Sequence, residues 1–190
     1  MRNQIFNTFI AVIFSAVSVF ATSTEPSITS NGNKSFIIDK KVWKSNAVDI
    51  LIENKNGETI YSNHQNLERS KKYSLENLEA GDYIVTISNE IKSVENKITI
   101  TKERLFIDFD ANTTYKPVFN ILKNSIDINY FSAGVKTTIY IQNNGGTIYQ
   151  MDIKDSSSIN KRFDVSKLPT GDYSVVVSNK TGTFSKRFTK

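Results

Sequence analysis

The chain has 190 residues, 38% of them hydrophobic and 23% charged, which is the balance of a globular protein with one large or two small domains. It has no cysteine, which excludes disulfides, thiolate metal sites and lipid attachment through an N-terminal cysteine. The net charge of +5 comes without any nucleic-acid-binding motif, so the basic excess is read as a solvated, lysine-rich surface and nucleic acid is not an expected partner.

The first residues read as a secretory signal peptide over 1–23. Arg2 gives a positive start, an apolar stretch runs from Ile5 to Phe20, and small residues follow at Ala21, Thr22 and Ser23. The stretch is broken by Asn7, Thr8, Ser15 and Ser18. A comfortable membrane span needs ~20 apolar residues. The chain is therefore expected to be exported to the periplasm, the cell surface or the medium. No stable transmembrane segment is expected after cleavage.

The rest predicts β-structure throughout. An opening strand is placed at Phe36–Trp43. Val48, Ile50 and Ile52 then alternate with Asp49, Leu51 and Glu53, which puts one set on the core face of a strand. Asn56-Gly57 predicts a tight turn, with a second strand from Thr59. Tyr83, Val85 and Ile87 alternate after the block Leu78-x-x-Gly81-Asp82-Tyr83, and closing strands are placed at Ile98–Thr101 and Leu105–Phe109. Asp110–Lys116 reads as a short linker. Strands follow at Val118–Leu122 and Ile126–Phe131, and no convincing amphipathic helix is predicted.

After the linker the pattern returns. Ile50, Ile52, Asn54 and Gly57 match Ile139, Ile141, Asn143 and Gly146, and Thr59-Ile60-Tyr61 matches Thr147-Ile148-Tyr149. Leu78, Gly81, Asp82 and Tyr83 match Leu168, Gly171, Asp172 and Tyr173. So many ordered matches argue for duplication of a compact unit. The prediction is an all-β chain of two tandem, Ig-like Greek-key β-sandwich modules, at 28–110 and 116–190. Tyr83 and Tyr173 enter a strand just after a glycine-bearing turn, the placing of a tyrosine corner, with the ring in the core and the hydroxyl bonded back to the turn. Gly81 and Gly171 are expected to permit that turn.

The second copy resembles the C-terminal sorting domains of the bacterial type IX secretion system. The resemblance rests on Gly146-Thr147-Ile148-Tyr149, on Phe163-Asp164-Val165 through Leu168-Pro169-Thr170-Gly171-Asp172-Tyr173, and on the ending Ser185-Lys186-Arg187-Phe188-Thr189-Lys190. It implies a terminal sandwich that directs exported cargo, with Lys186, Arg187 and Lys190 as a basic sorting tail and the secretion machinery as partner. The whole chain is also similar to small two-module secreted proteins of the same kind of bacteria. The first copy carries the core motif too, so a duplicated fold without a sorting role stays open beside it.

Candidates for chemistry are few. His64, the one histidine, lies in the polar stretch Ser62–Asn66 and is read as an exposed loop residue. Asp108 and Asp110 would share a face if their strand continued, as a glycosidase pair would require. Asp82 and Asp172 recur, and local hydrogen bonding to backbone explains them better than calcium. Trp43, the sole tryptophan, is either a core residue or a glycan-stacking platform. Asn33, Asn112 and Asn179 fit glycosylation triplets by chance. The expectation is a non-catalytic exported protein, without cofactor or metal, serving surface display, adhesion or binding of a protein or glycan at the cell envelope. The alternatives are a sorting signal in the second module and, third, a secreted glycan- or peptide-acting hydrolase.

Overall fold

The structure is a computed structural model describing residues 26–190. The signal-peptide reading of residues 1–23 lies outside the described residues. The chain is all-β, and its first unit is two facing sheets. One holds β1 (Thr29–Ser30), β2 (Ser35–Ile38) and β5 (Lys71–Ser74), in the order β1-β2-β5. The other holds β3 (Ala47–Asn54), β4 (Thr59–Asn66), β6 (Gly81–Ser88), β7 (Lys92–Ile100) and β8 (Leu105–Ile107), in the order β4-β3-β6-β7-β8. Alternation builds the core between them. Ile50 and Ile52 of β3, Val85 and Ile87 of β6 and Ile98 of β7 are buried in one cluster with Phe36 and Ile38 of β2. Each such side chain, fully buried, contributes roughly 1.5–3 kcal/mol.

Two sequence expectations fail in this unit. The opening strand stops at Ile38, and Lys40–Trp43 forms a one-turn helix, α1, in place of strand. Asp39 causes this: its Oδ1 accepts the Lys41 N–H at 2.8 Å, a helix N-cap, and Lys44 at φ +47 ends the turn. The expected linker is not a linker either. Asn112–Tyr115 forms β9, paired antiparallel to the start of β7 with Lys92 opposite Tyr115 and Glu95 opposite Asn112. Thr113, Thr114 and Tyr115 are good strand formers, and β7 offers them a free edge. The Lys116 N–H then donates to the Ile91 carbonyl at 2.7 Å, and Pro117 is buried.

The second unit follows at once. β10 (Val118–Ile121), β11 (Ser125–Phe131) and β14 (Ser158–Asp164) form one sheet, in the order β10-β11-β14. β12 (Thr137–Asn143), β13 (Gly146–Ile153), β15 (Asp172–Asn179) and β16 (Gly182–Thr189) form the other, in the order β13-β12-β15-β16. A separate core joins Ile126 and Ile128 to Ile139, Val175, Val177 and Phe188. The Tyr115 ring packs against this second core and meets Phe131 edge-on at 5.0 Å, so the last residue of β9 spans both units.

The units correspond strand for strand. Tyr83 pairs with Ile98 across β6–β7, and Tyr173 with Phe188 across β15–β16. The first hairpin of each four-strand array carries a bulge at one place: the register skips Ile60 in β4 and Ile148 in β13. Gly57 at φ +79 and Gly146 at φ +117 make those turns, in the left-handed region that glycine enters freely. The units differ at one edge. In the first, β8 and β9 cover the outer edge of β7. In the second, among the described residues, no strand lies against the outer edge of β16.

Candidate functional site

The repeated block is the best-defined local geometry in the chain. Leu78 and Leu168 pack against their cores, and each closes a short turn by donating its N–H, to Leu75 at 3.0 Å and Val165 at 3.2 Å. The tyrosine hydroxyls donate four residues back along the chain: Tyr83 to the Glu79 carbonyl at 3.1 Å and Tyr173 to the Pro169 carbonyl at 2.8 Å. Tyr173 is buried and stacks on Phe188 with ring centroids 5.4 Å apart. Gly81 and Gly171 do not serve a positive-φ turn, because neither has positive φ. A Cβ on either would meet the ring of Tyr83 or Tyr173 at 3.8 Å, an ordinary contact. Asp82 and Asp172 do not bond to backbone as expected. Each accepts a cross-strand hydroxyl at 2.8 Å, from Thr99 and Thr189 respectively. Strand pairing sets these residues opposite one another, so the partner is distant in sequence.

The basic residues near the end of β16 do not act alike. Lys190 is tied down: its Nζ donates to the Lys123 carbonyl at 2.8 Å and to Asn124 Oδ1 at 3.1 Å. Its N–H and carbonyl also exchange hydrogen bonds with Gly171. Lys186 and Arg187 are exposed and make no ion pair among the described residues. They stand on the edge strand, which no other strand covers among the described residues. This cluster of an open backbone edge and two free cations is the candidate site. The sequence marked Lys186 and Arg187 as part of a basic tail, but not the open edge, because openness depends on where the other strands fall. Comparison of the repeats adds a second signal, with Glu95-Asn96-Lys97 replaced by Ser185-Lys186-Arg187.

The other candidates resolve as follows. His64 is on strand β4, not in a loop, with Nδ1 2.7 Å from Asp49 Oδ1 across the β3–β4 pair. Both side chains are well exposed, the chain has no second histidine, and among the described residues no serine hydroxyl bonds to either side chain. β8 ends at Ile107, so Asp108 and Asp110 do not share a strand face; Asp108 Oδ1 instead accepts the Asp110 N–H at 3.2 Å. Trp43 is 2% exposed, and its Nε1 donates to the Ser27 carbonyl at 3.0 Å, so the indole face offers no stacking platform for a glycan. Lys92 Nζ lies 4.8 Å from its ring centroid. Asn179 shapes the β15–β16 turn, accepting from the Thr181 N–H at 2.8 Å, as Asn89 does from the Ile91 N–H at 2.9 Å. Among the described residues no group of three metal-ligating side chains converges, and no helix is long and apolar enough to cross a membrane.

A family model, the secretion system C-terminal sorting domain, matches residues 32–102 and again residues 116–190. No curated protein matches the chain. A solved structure described as a biofilm associated protein, BSP domain, is 14% identical, with the match covering 86% of this chain and 29% of that chain at a TM-score of 0.27. This chain therefore spans less than a third of that structure's length. The family match takes in both units, including the tyrosine blocks and the basic tail: this exported protein belongs to the family of secretion system C-terminal sorting domains.

Proposed function

We propose that the second unit, residues 116–190, is a type IX sorting signal and that the protein acts without catalysis. The family match to 116–190 carries this reading. A sorting signal must be a surface that machinery can read. The exposed Lys186 and Arg187, on a strand whose outer edge is open among the described residues, supply one. Residues 116–190 fused to an exported reporter test the reading. The reporter should reach the cell surface or medium in a strain with an intact type IX system and remain periplasmic in one without it. A reporter that stays periplasmic in both sinks the proposal.

A second reading is favoured by one observation, the match of residues 32–102 to the same family. The first unit precedes another domain, so its sorting-domain fold serves as cargo. In this reading the first unit is the displayed, ligand-binding part, for adhesion or binding at the cell envelope. Mass spectrometry of the mature protein separates the two. Loss of residues 116–190 on export fits a sorting signal, and retention of both units fits a duplicated binding protein.

A further inference from the structure

We propose that the outer edge of β16 is a docking site for an extended strand of another protein, in which acidic and apolar residues alternate. This names the partner chemistry for the recognition event proposed above, and only its biological setting rests on that reading.

The first unit shows what such a seat holds. There β8 pairs with the end of β7, Ile98 opposite Ile107 and Ile100 opposite Leu105, and β9 pairs with its beginning. Leu105 is buried in the core and Ile107 packs against it. Beneath this cover two polar residues are buried and satisfied, with Ser27 Oγ donating to Asn96 Oδ1 at 2.6 Å. The repeat places Lys186 where Asn96 stands. In the second unit that position is uncovered, and Lys186 is exposed. The second unit thus keeps the strand edge without, among the described residues, the strand that fills it.

The backbone at this edge is ready to pair. Lys190 exchanges both hydrogen bonds with Gly171, at 3.1 and 2.9 Å. Antiparallel alternation then turns the backbone of Phe188 and Lys186 toward β15, and that of Ser185, Arg187 and Thr189 outward. Lys97, the counterpart of Arg187, uses its outward carbonyl to accept the Asp108 N–H at 2.9 Å.

Charge selects the partner. Glu95, Asn96 and Lys97 carry no net charge, whereas Ser185, Lys186 and Arg187 carry two positive charges. Two β16 edges laid together would face cation against cation, which disfavours a second copy of this chain. A strand with carboxylates on the face it shares with Arg187 and apolar residues on the other satisfies that guanidinium and covers the edge of the core, as Leu105 and Ile107 do in the first unit. Main-chain bonds give such strand addition its affinity, and the alternating side chains give it specificity.

The chain's own Arg104–Asp110, as a synthetic peptide, is the probe, because its Ile107–Asp110 end has this alternation and its Leu105–Asp108 stretch covers the equivalent edge of β7. It is added to the protein comprising residues 26–190. Amide exchange should slow at Ser185, Arg187 and Thr189 and stay unchanged at Phe184, Lys186 and Phe188. A peptide with Asp108→Lys and Asp110→Lys should bind at least tenfold more weakly at low salt. Arg187→Pro removes an amide that the fold itself does not use, and should abolish binding. Arg187→Ala, the safer variant for folding, should keep the protection pattern at reduced affinity. Protection elsewhere, no binding at millimolar peptide, undiminished binding to Arg187→Pro, or dimerisation of the chain through β16 each overturns the proposal. A reporter sorted normally by residues 116–190 while the peptide fails to bind would overturn the edge alone. A bound peptide with an unsorted reporter would overturn the sorting reading alone.

Discussion

Thr189 Oγ1 donates to Asp172 Oδ1 over 2.8 Å, and Thr99 Oγ1 donates to Asp82 Oδ1 over the same distance. Each bond clips the last part of the strand after the tyrosine-block strand, β7 or β16, to the residue that follows the glycine of the tyrosine block. Thr189→Val keeps the branched shape and removes the donor. A net hydrogen bond is worth about 1 kcal/mol, and this one is exposed, so a loss of ~0.5–1 kcal/mol is expected in urea unfolding. Thr99→Val should cost a similar amount, and the double variant should show the sum, because the two pairs share no partner.

The two tyrosine corners should not be equally sensitive. Tyr173 is buried and its hydroxyl bond to Pro169 is short at 2.8 Å, whereas Tyr83 is half-buried and bonds Glu79 at 3.1 Å. Tyr173→Phe leaves the stack on Phe188 intact but strands the Pro169 carbonyl. A cost of about 1–1.5 kcal/mol is expected, against ~0.5 kcal/mol for Tyr83→Phe, read from paired thermal denaturations. Equal costs would mean that burial does not distinguish the two corners.

Much of this fold was legible because its central strands are amphipathic. Val48-Ile50-Ile52 and Tyr173-Val175-Val177 announce their core faces by alternation alone, and Gly57 announces its turn. What stayed hidden depends on partners distant in sequence. β9 reads as polar linker because only the edge of β7 makes Asn112–Tyr115 a strand. β4 is exposed along nearly all its length, so His64 sits on a strand with no alternation to reveal it. Gly81 and Gly171 are the opposite case, where the pattern was visible but its reason was misread. With no positive φ and only a 3.8 Å contact to meet, Gly171→Ala should cost less than ~0.5 kcal/mol. A loss above 2 kcal/mol would restore the turn explanation.

The pair Asp127–Arg162 sets a pH dependence in the second unit. Arg162 Nη2 donates to Asp127 Oδ2 at 2.7 Å and Nε to Oδ1 at 2.5 Å, across the β11–β14 register. This bidentate bond holds the Asp127 carboxyl below its ordinary value of 3.8. A depressed carboxyl adds stability above the unfolded value and loses it as pH falls through the folded one. Arg162→Gln should therefore narrow the stability difference between pH 7 and pH 3. In carbon-detected NMR the Asp127 carboxyl should titrate at higher pH in the variant. An unmoved titration would show that the guanidinium does not govern Asp127.

Tyr73 should be improved by losing its hydroxyl. Its ring stacks on Phe36 with centroids 5.3 Å apart, but the hydroxyl oxygen is buried and without a hydrogen-bond partner among the described residues. A buried, unpaired polar group costs roughly 1–3 kcal/mol. The repeat supplies the alternative, since Phe163 holds the matching place opposite Ile126 in the second unit. Tyr73→Phe should therefore stabilise the protein by about 1 kcal/mol and raise Tm by a few degrees. Alkali should widen the gap. Burial first, and the nearby Tyr61 second, push the Tyr73 phenol up to about 12 from an ordinary value of 10.0. The unfolded chain then gives up this proton before the folded one does, so the wild type loses stability as pH rises from 10 toward 12. The variant lacks that loss. Urea midpoints at pH 8 and pH 11 check both parts: the variant should be ahead at pH 8 and further ahead at pH 11. A variant less stable than wild type at pH 8 would mean that the hydroxyl does have a partner in solution.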